Sequence, residues 1–242
     1  MSSPNKVEVV FTPEMYPNFE NKEANVVIID ILRATSAICT AFENGVKEMI
    51  PVPAIEEARK RKEEGYVVAA ERDGNVLDFA DFGNSPFNFT PERVKGKKVA
   101  YSTTNGTRAI HIAKGSYLVL IASFINLSAV VNLLKENQRD VILMCAGWKG
   151  KFCLEDTLCA GAIAEKLIYF FSFETVCDST KASIDLWKLA KKDLLKYVNK
   201  VAQRSRLRQL GLDDVIEYCH TPDSSVKVPV FKDGRIINYS DL

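Results

Sequence analysis

The chain has 242 residues, 47% of them hydrophobic, and its charged residues, 26% of the total, nearly cancel to a formal net charge of +1. That length and apolar content support a large core without disulfide or metal staples, and the charge balance excludes the broad basic surface that nucleic-acid binding needs. The six cysteines form no C-x-x-C pair and only His111 and His220 accompany them, so no zinc-type cluster is expected; the polar start over 1–6 and the short apolar runs predict a cytoplasmic protein with free thiols, no signal peptide and no membrane span.

Strands are expected over 7–11, 26–30, 49–52, 67–70, 99–101, 118–122 and 141–146. Several are apolar at every position, the pattern of strands covered on both faces. Helices are expected between them over 34–43, 54–64, 108–114, 127–136, 154–171 and 181–208, the second bracketed by Pro53 and Gly65 as start and stop signals. This alternation predicts an α/β fold: a largely parallel or mixed sheet flanked by helices, one domain over 1–242, with two closely packed lobes meeting near residue 115 as an option. The 181–208 helix carries Trp187, Leu194 and Val201 at heptad spacing, a stripe for the core or for a second subunit of a homodimer. Its basic run 203–208 reads as a solvated face. The stretch 74–91 has no period and reads as a long loop.

In an open parallel sheet ligands bind beyond the carboxyl ends of the strands, and four such ends carry chemistry. At the first, Asp30 closes an apolar run and Arg33 and Thr35 follow at a helix start. The carboxylate and guanidinium could hold a metal and an anion, or simply pair with each other. At the second stand Glu71 and Arg72, followed by a loop in which Asn84 and Ser85 could donate to an anion or merely turn the chain. The third reads Ser102-Thr103-Thr104-Asn105-Gly106-Thr107. Its hydroxyls, an Asn-Gly pair that tolerates positive φ, and a helix start suit a tetrahedral oxyanion such as phosphate or a sulfonate; an N-capped helix is the plainer alternative.

The fourth end runs from Cys145 through a loop with Gly147 and Gly150 to Glu155 and Asp156 in the first turn of a helix too apolar to lie on the surface. Two carboxylates there either complement the helix dipole or ligate a cation, and hard oxygens without His or Cys favour Mg²⁺. Cys145 reads as a small core residue rather than a nucleophile, and His111 as a packed or surface residue rather than a base.

In combination, the segments 29–36, Glu71-Arg72, 81–86, 102–107, Cys145-Ala146-Gly147 with Leu154-Glu155-Asp156, and a late match at Gly211, Asp214, Cys219 and Pro229 resemble the 2-phosphosulfolactate phosphatase family over nearly the whole chain. Two departures are Asp73, where the family commonly has Gly, and Ala80, where it often has Phe. The resemblance implies an α/β, Mg²⁺-dependent phosphatase that converts 2-phospho-3-sulfolactate to 3-sulfolactate and phosphate, a step toward coenzyme M in methanogens. On that basis Asp30, Glu71, Glu155 and Asp156 are the expected metal ligands, with Asp30, Arg33, Glu155 and Asp156 in catalysis. Arg33 and residues 102–107 would bind phosphate. Arg72, Arg108 and Lys149, with Asn84 and Ser85, would meet the substrate's carboxylate and sulfonate. Attack by an activated water is expected ahead of an aspartyl-phosphate route, because the D-x-D-x-T spacing is absent: Leu32 stands at its second acidic position. A non-catalytic anion-binding regulator, a phosphotransferase, and a phosphatase for another phosphorylated hydroxy acid are the alternatives.

Overall fold

In the computed structural model, which describes residues 3–242, the chain runs β1 (Val7–Val10), β2 (Asn25–Ile29), α1 (Ala34–Glu43), β3 (Glu48–Pro51), α2 (Ile55–Glu63), β4 (Val67–Arg72), β5 (Asn75–Val76), α3 (Pro91–Val94) and β6 (Lys98–Ser102). It continues α4 (Gly106–Ile112), β7 (Leu118–Ala122), α5 (Leu127–Asn137), β8 (Val141–Cys145), α6 (Leu154–Phe171), α7 (Asp178–Ala190) and α8 (Leu194–Tyr197). It closes with α9 (Ala202–Gln209), α10 (Val215–Cys219), β9 (Pro229–Lys232) and β10 (Arg235–Asn238).

The strands form one ten-stranded sheet in the order β1-β8-β2-β7-β9-β10-β3-β6-β4-β5. Strands β1, β8, β2 and β7 are mutually parallel, as are β3, β6 and β4. Between the two groups lie three antiparallel pairings made by the β9–β10 hairpin, so the groups run in opposite senses. The pairing of β2 with β7 and β8 crosses residue 115, so the sheet is not divided there. The hairpin has a sequence signal: Asp233-Gly234, both at positive φ, sits between Val230-Phe231 and Ile236-Ile237.

The apolar strands are buried on both faces, as their composition requires. One face of the first group packs on α5, α6 and α7. Its other face shares a core with α1, α4 and the inner face of the second group, where Ile28, Ile38, Ile110 and Tyr101 are fully buried together. Helix α2 covers the remaining face. Because α1 and α4 both enter this shared core, the end of β2 meets the end of β6 although several strands separate them in the sheet: the Tyr101 hydroxyl donates to the Ala34 carbonyl at 3.2 Å.

The single helix expected over 181–208 is three helices. Helix α7 stops at Ala190; Asp193 then caps α8, its side chain accepting from the Lys196 N–H at 3.1 Å, and Val201 is extended before α9. The heptad stripe is therefore broken, and Trp187 instead stacks near Phe124 and donates to Glu165 at 2.9 Å. Among the described residues no helix is long and apolar enough to cross a membrane, and all six cysteines are free.

Candidate active site

The four chemistry-bearing strand ends converge on one cleft. Its lining includes Asp30, Arg33, Glu71, Asn84, Thr103, Thr104, Asn105, Glu155 and Asp156.

Asp30 follows β2 because the strand ends there and α1 begins: its N–H donates to the Thr35 hydroxyl and its carbonyl accepts from the Thr35 N–H, both at 2.9 Å. The carboxylate Oδ1 accepts the Ala34 N–H at 3.3 Å. Burial, with Glu71 nearby, raises its pKa from 3.8 to about 6. Arg33 is only 5% exposed. One guanidinium nitrogen donates to Asn84 Oδ1 at 2.8 Å; the other, Nη1, is buried without a partner. Burial lowers the pKa of Arg33 from its ordinary value.

The 102–107 loop differs from expectation in one respect. Neither Asn105 (φ −114°) nor Gly106 lies in the left-handed region, and Asn105 makes no side-chain cap. The Asn-Gly pair thus does not form an anion nest through positive φ. Gly106 is required by space: a Cβ there would lie 2.5 Å from the Ala34 Cβ and 3.1 Å from Asp30 Oδ2. The glycine lets α4 approach α1 with the Asp30 carboxylate between them. The Thr107 hydroxyl donates to the Thr103 carbonyl at 2.9 Å, the Thr104 hydroxyl is buried without a partner, and Ser102 is turned away to accept from Arg72 at 2.9 Å.

The remaining carboxylates are held differently. Glu71 accepts the Gly74 N–H at 2.6 Å and the Thr104 N–H at 3.3 Å, tying β4 to the loop. Asp156 accepts the Ile31 N–H at 2.8 Å and the Gly147 N–H at 3.2 Å, tying the ends of β2 and β8 to the start of α6. Burial, then Glu155 and Asp30, raises the pKa of Asp156 well above the usual carboxylate range. Glu155 is raised from 4.5 to about 7 by burial and the Asp30 charge. The cleft therefore concentrates negative charge that the fold only partly offsets.

The other nominated cations do not line it. Arg72 donates to the Glu71 carbonyl, the Pro53 carbonyl and the Ser102 hydroxyl. Arg108 is exposed and paired with Glu14 at 2.6 Å. Lys149 is exposed and paired with Asp73 at 3.0 Å. Ser85 precedes the 3₁₀ turn Pro86–Asn88, behind Asn84. Burial pushes the thiols of Cys145 and Cys153 far up, so neither is a thiolate nucleophile. His111 is an exposed residue that meets the Pro51 carbonyl at 3.0 Å and lies edge-on to Phe231, away from the cleft.

Sequence reasoning did not nominate Leu32, Arg206, Gln203, Asp73, Gly74, Gly147, Trp148 or Cys153 for the site, and these complete the lining. Arg206 belongs to the run read as solvated. Buried Leu207 and Gln203 pin α9 over the cleft, so the same helix turns Arg206 inward. A period argument would have needed that anchoring: α9 is mostly polar.

The cleft at the converging strand ends thus brings together a buried guanidinium, hydroxyl side chains and a set of confined carboxylates. The comparisons with known proteins are specific. A profile of the 2-phosphosulpholactate phosphatase family matches residues 10–234, and the chain belongs to that family. Relatives each named "Probable 2-phosphosulfolactate phosphatase" include one from Caldanaerobacter subterraneus, 39% identical over 91% of this chain and 93% of its own length. One from Pseudothermotoga lettingae is 38% identical over 96% and 98%, and one from Clostridium novyi is 35% identical over 96% and 99%.

Proposed function

We infer that the protein hydrolyses a phosphomonoester, 2-phospho-3-sulfolactate, to 3-sulfolactate and phosphate. The observation that carries this is Arg33: a buried guanidinium with one unpartnered nitrogen, lining the same cleft as Asp30 and the hydroxyls of Thr103 and Thr104. An unpaired buried donor is costly, and an anion relieves it. The family and the names of the relatives supply the substrate.

In this reading Arg33 Nη1 and the 103–107 loop hold the phosphoryl oxygens and stabilise charge there during in-line displacement. Asn84 fixes the plane of the guanidinium. Asp30, anchored through Oδ1, uses Oδ2 to orient a water and accept its proton.

The donor set accords with Mg²⁺. Asp156 and Glu71 spend their oxygens on backbone N–H groups, which leaves Asp30 and Glu155 the freest carboxylates, both destabilised as anions by burial. Among the described residues no three Asp, Glu, His or Cys side chains form a ready metal cage. Mg²⁺ does not require one, since it typically takes one or two carboxylates together with substrate phosphate oxygens and water. Bound at Asp30 and Glu155, it would supply Lewis-acid charge neutralisation.

The test is phosphate release from 2-phospho-3-sulfolactate by the intact protein, with and without Mg²⁺, beside Glu155→Gln. Release that needs Mg²⁺, with more Mg²⁺ required by the variant, supports both parts. Release indifferent to chelator overturns the metal assignment, and no release from this substrate overturns the function.

A further inference from the structure

Among the described residues, Arg206 is the only cationic residue besides Arg33 that lines the cleft. The two occupy different places. Arg33 is on the floor beside the hydroxyl loop. Arg206 enters from α9 at the mouth, half-buried, with its guanidinium 5.6 Å from the Trp148 ring centre. Its recorded partners are neutral: Nε donates to Gln203 Oε1 at 2.7 Å and Nη1 to the Asp73 carbonyl at 3.2 Å. Neither acceptor carries a charge, so an anion at the guanidinium would add a Coulomb attraction that they do not supply.

We propose that Arg206 is a specificity-determining residue that binds the sulfonate which the substrate in the reading above carries beside its phosphate and carboxylate, and that this contact holds α9 closed over the cleft. The proposal rests on that reading for the identity of the anion. Two further observations support it. A polyanion entering a cleft lined by Asp30, Glu71, Glu155 and Asp156 needs a second cation, and Arg72, Arg108 and Lys149 are engaged elsewhere. Finally, α9 meets the β4–β5 turn through replaceable contacts: the Arg206–Asp73 bond, and Leu210 against Gly74, where a Cβ would stand 2.7 Å from the leucine.

The departure at Asp73 has a place in this arrangement. Its carboxylate is drawn outward to Lys149 at 3.0 Å, while its carbonyl receives Arg206. The added negative charge is thus paired at the rim.

The test measures binding as well as turnover, so that it does not depend on catalysis. 3-Sulfolactate and inorganic phosphate are titrated calorimetrically into wild type, Arg206→Gln and Arg206→Lys. Hydrolysis of 2-phospho-3-sulfolactate is compared with that of 2-phospholactate, which lacks the sulfonate. The expected result is a roughly 10- to 100-fold weaker binding of 3-sulfolactate to Arg206→Gln, unchanged phosphate binding, partial rescue by lysine, and a raised KM for the sulfonated substrate alone. Arg206-dependent binding of 3-sulfolactate by a protein that hydrolyses neither ester would uphold this proposal while removing the phosphatase reading. Equal losses for phosphate and sulfolactate, no loss at all, or no binding of 3-sulfolactate to the wild type would overturn it.

Discussion

The floor and the rim of the cleft each offer one arginine, and they are built in opposite ways. On the floor, Arg33 is buried, bonded to Asn84 and set between β2 and α1. Its surroundings are the shared core of both sheet halves, so neither it nor Asp30 can move without disturbing packed side chains. On the rim, Arg206 rides on a short polar helix whose main anchors are Leu207 and Gln203. The contrast teaches a division of labour: rigid groups face the phosphoryl centre, where displacement by an ångström is expensive, and replaceable contacts face the entrance.

Floor substitutions should therefore strike turnover and rim substitutions should strike affinity. The largest effect is expected for Asp30→Asn, a loss of about 10²- to 10⁴-fold in kcat with near-ultraviolet circular dichroism unchanged. Turnover within a few-fold of wild type would end the assignment of Asp30 as base.

Gly106→Ala comes next. The new methyl meets the Ala34 Cβ at 2.5 Å and Asp30 Oδ2 at 3.1 Å, so it should cost about 1–3 kcal/mol of stability and lower kcat together. Asn105→Ala, which removes no side-chain cap, should be far milder in denaturant titrations. Equal effects from the two substitutions would restore the view that the Asn-Gly pair acts through backbone conformation.

A pH series sharpens the charge argument. In the fold, Asp30 and Glu155 hold protons up to about pH 6 and 7, against 3.8 and 4.5 ordinarily. Folding thus binds protons in that window, and their stabilising contribution is lost as pH rises through it. His220, lowered to about 4 chiefly by burial, acts oppositely between pH 4 and 6.5. Comparing variant and wild type at each pH removes that contribution. In chelator, Glu155→Gln should gain on wild type as pH rises from 5 to 8, reaching on the order of 2 kcal/mol, several degrees of melting temperature. A gap independent of pH would mean that Glu155 is not a strained anion.

The smallest effect should come from Arg108→Ala. Its pair with Glu14 is solvent-exposed, and such pairs contribute about 0–1 kcal/mol. Turnover should stay within about twofold. A large loss in kcat/KM would bring the Arg108 side chain back into substrate binding and blur the distinction between floor and rim.

Much of this molecule was legible before any coordinates. Expected and observed bounds coincide for α1, β7 and α6, and the remaining strands of the two parallel groups shift by at most two residues, because apolar runs between turn signals leave little freedom in where a strand starts. The β9–β10 hairpin has its turn signal in Asp233-Gly234, which the expected strands do not include. The acidic strand end at Asp30 and the buried helix start at Glu155 were visible as charges placed where burial is costly. Lys149 and Arg108 were misplaced because sequence gives the chemistry of an exposed cation but not its direction.

By itself, then, the sequence determined which segments are strands and helices and which strand ends carry reactive groups, since periodicity and the cost of burying charge are local matters. Tertiary structure alone decided that two oppositely running strand groups share α1 and α4, that Gly106 is needed for contact with Ala34 and Asp30, and that Arg206 belongs to the cleft. Those outcomes depend on packing between residues 72 to 176 positions apart, and side-chain direction across such a distance is set by the core that both ends join.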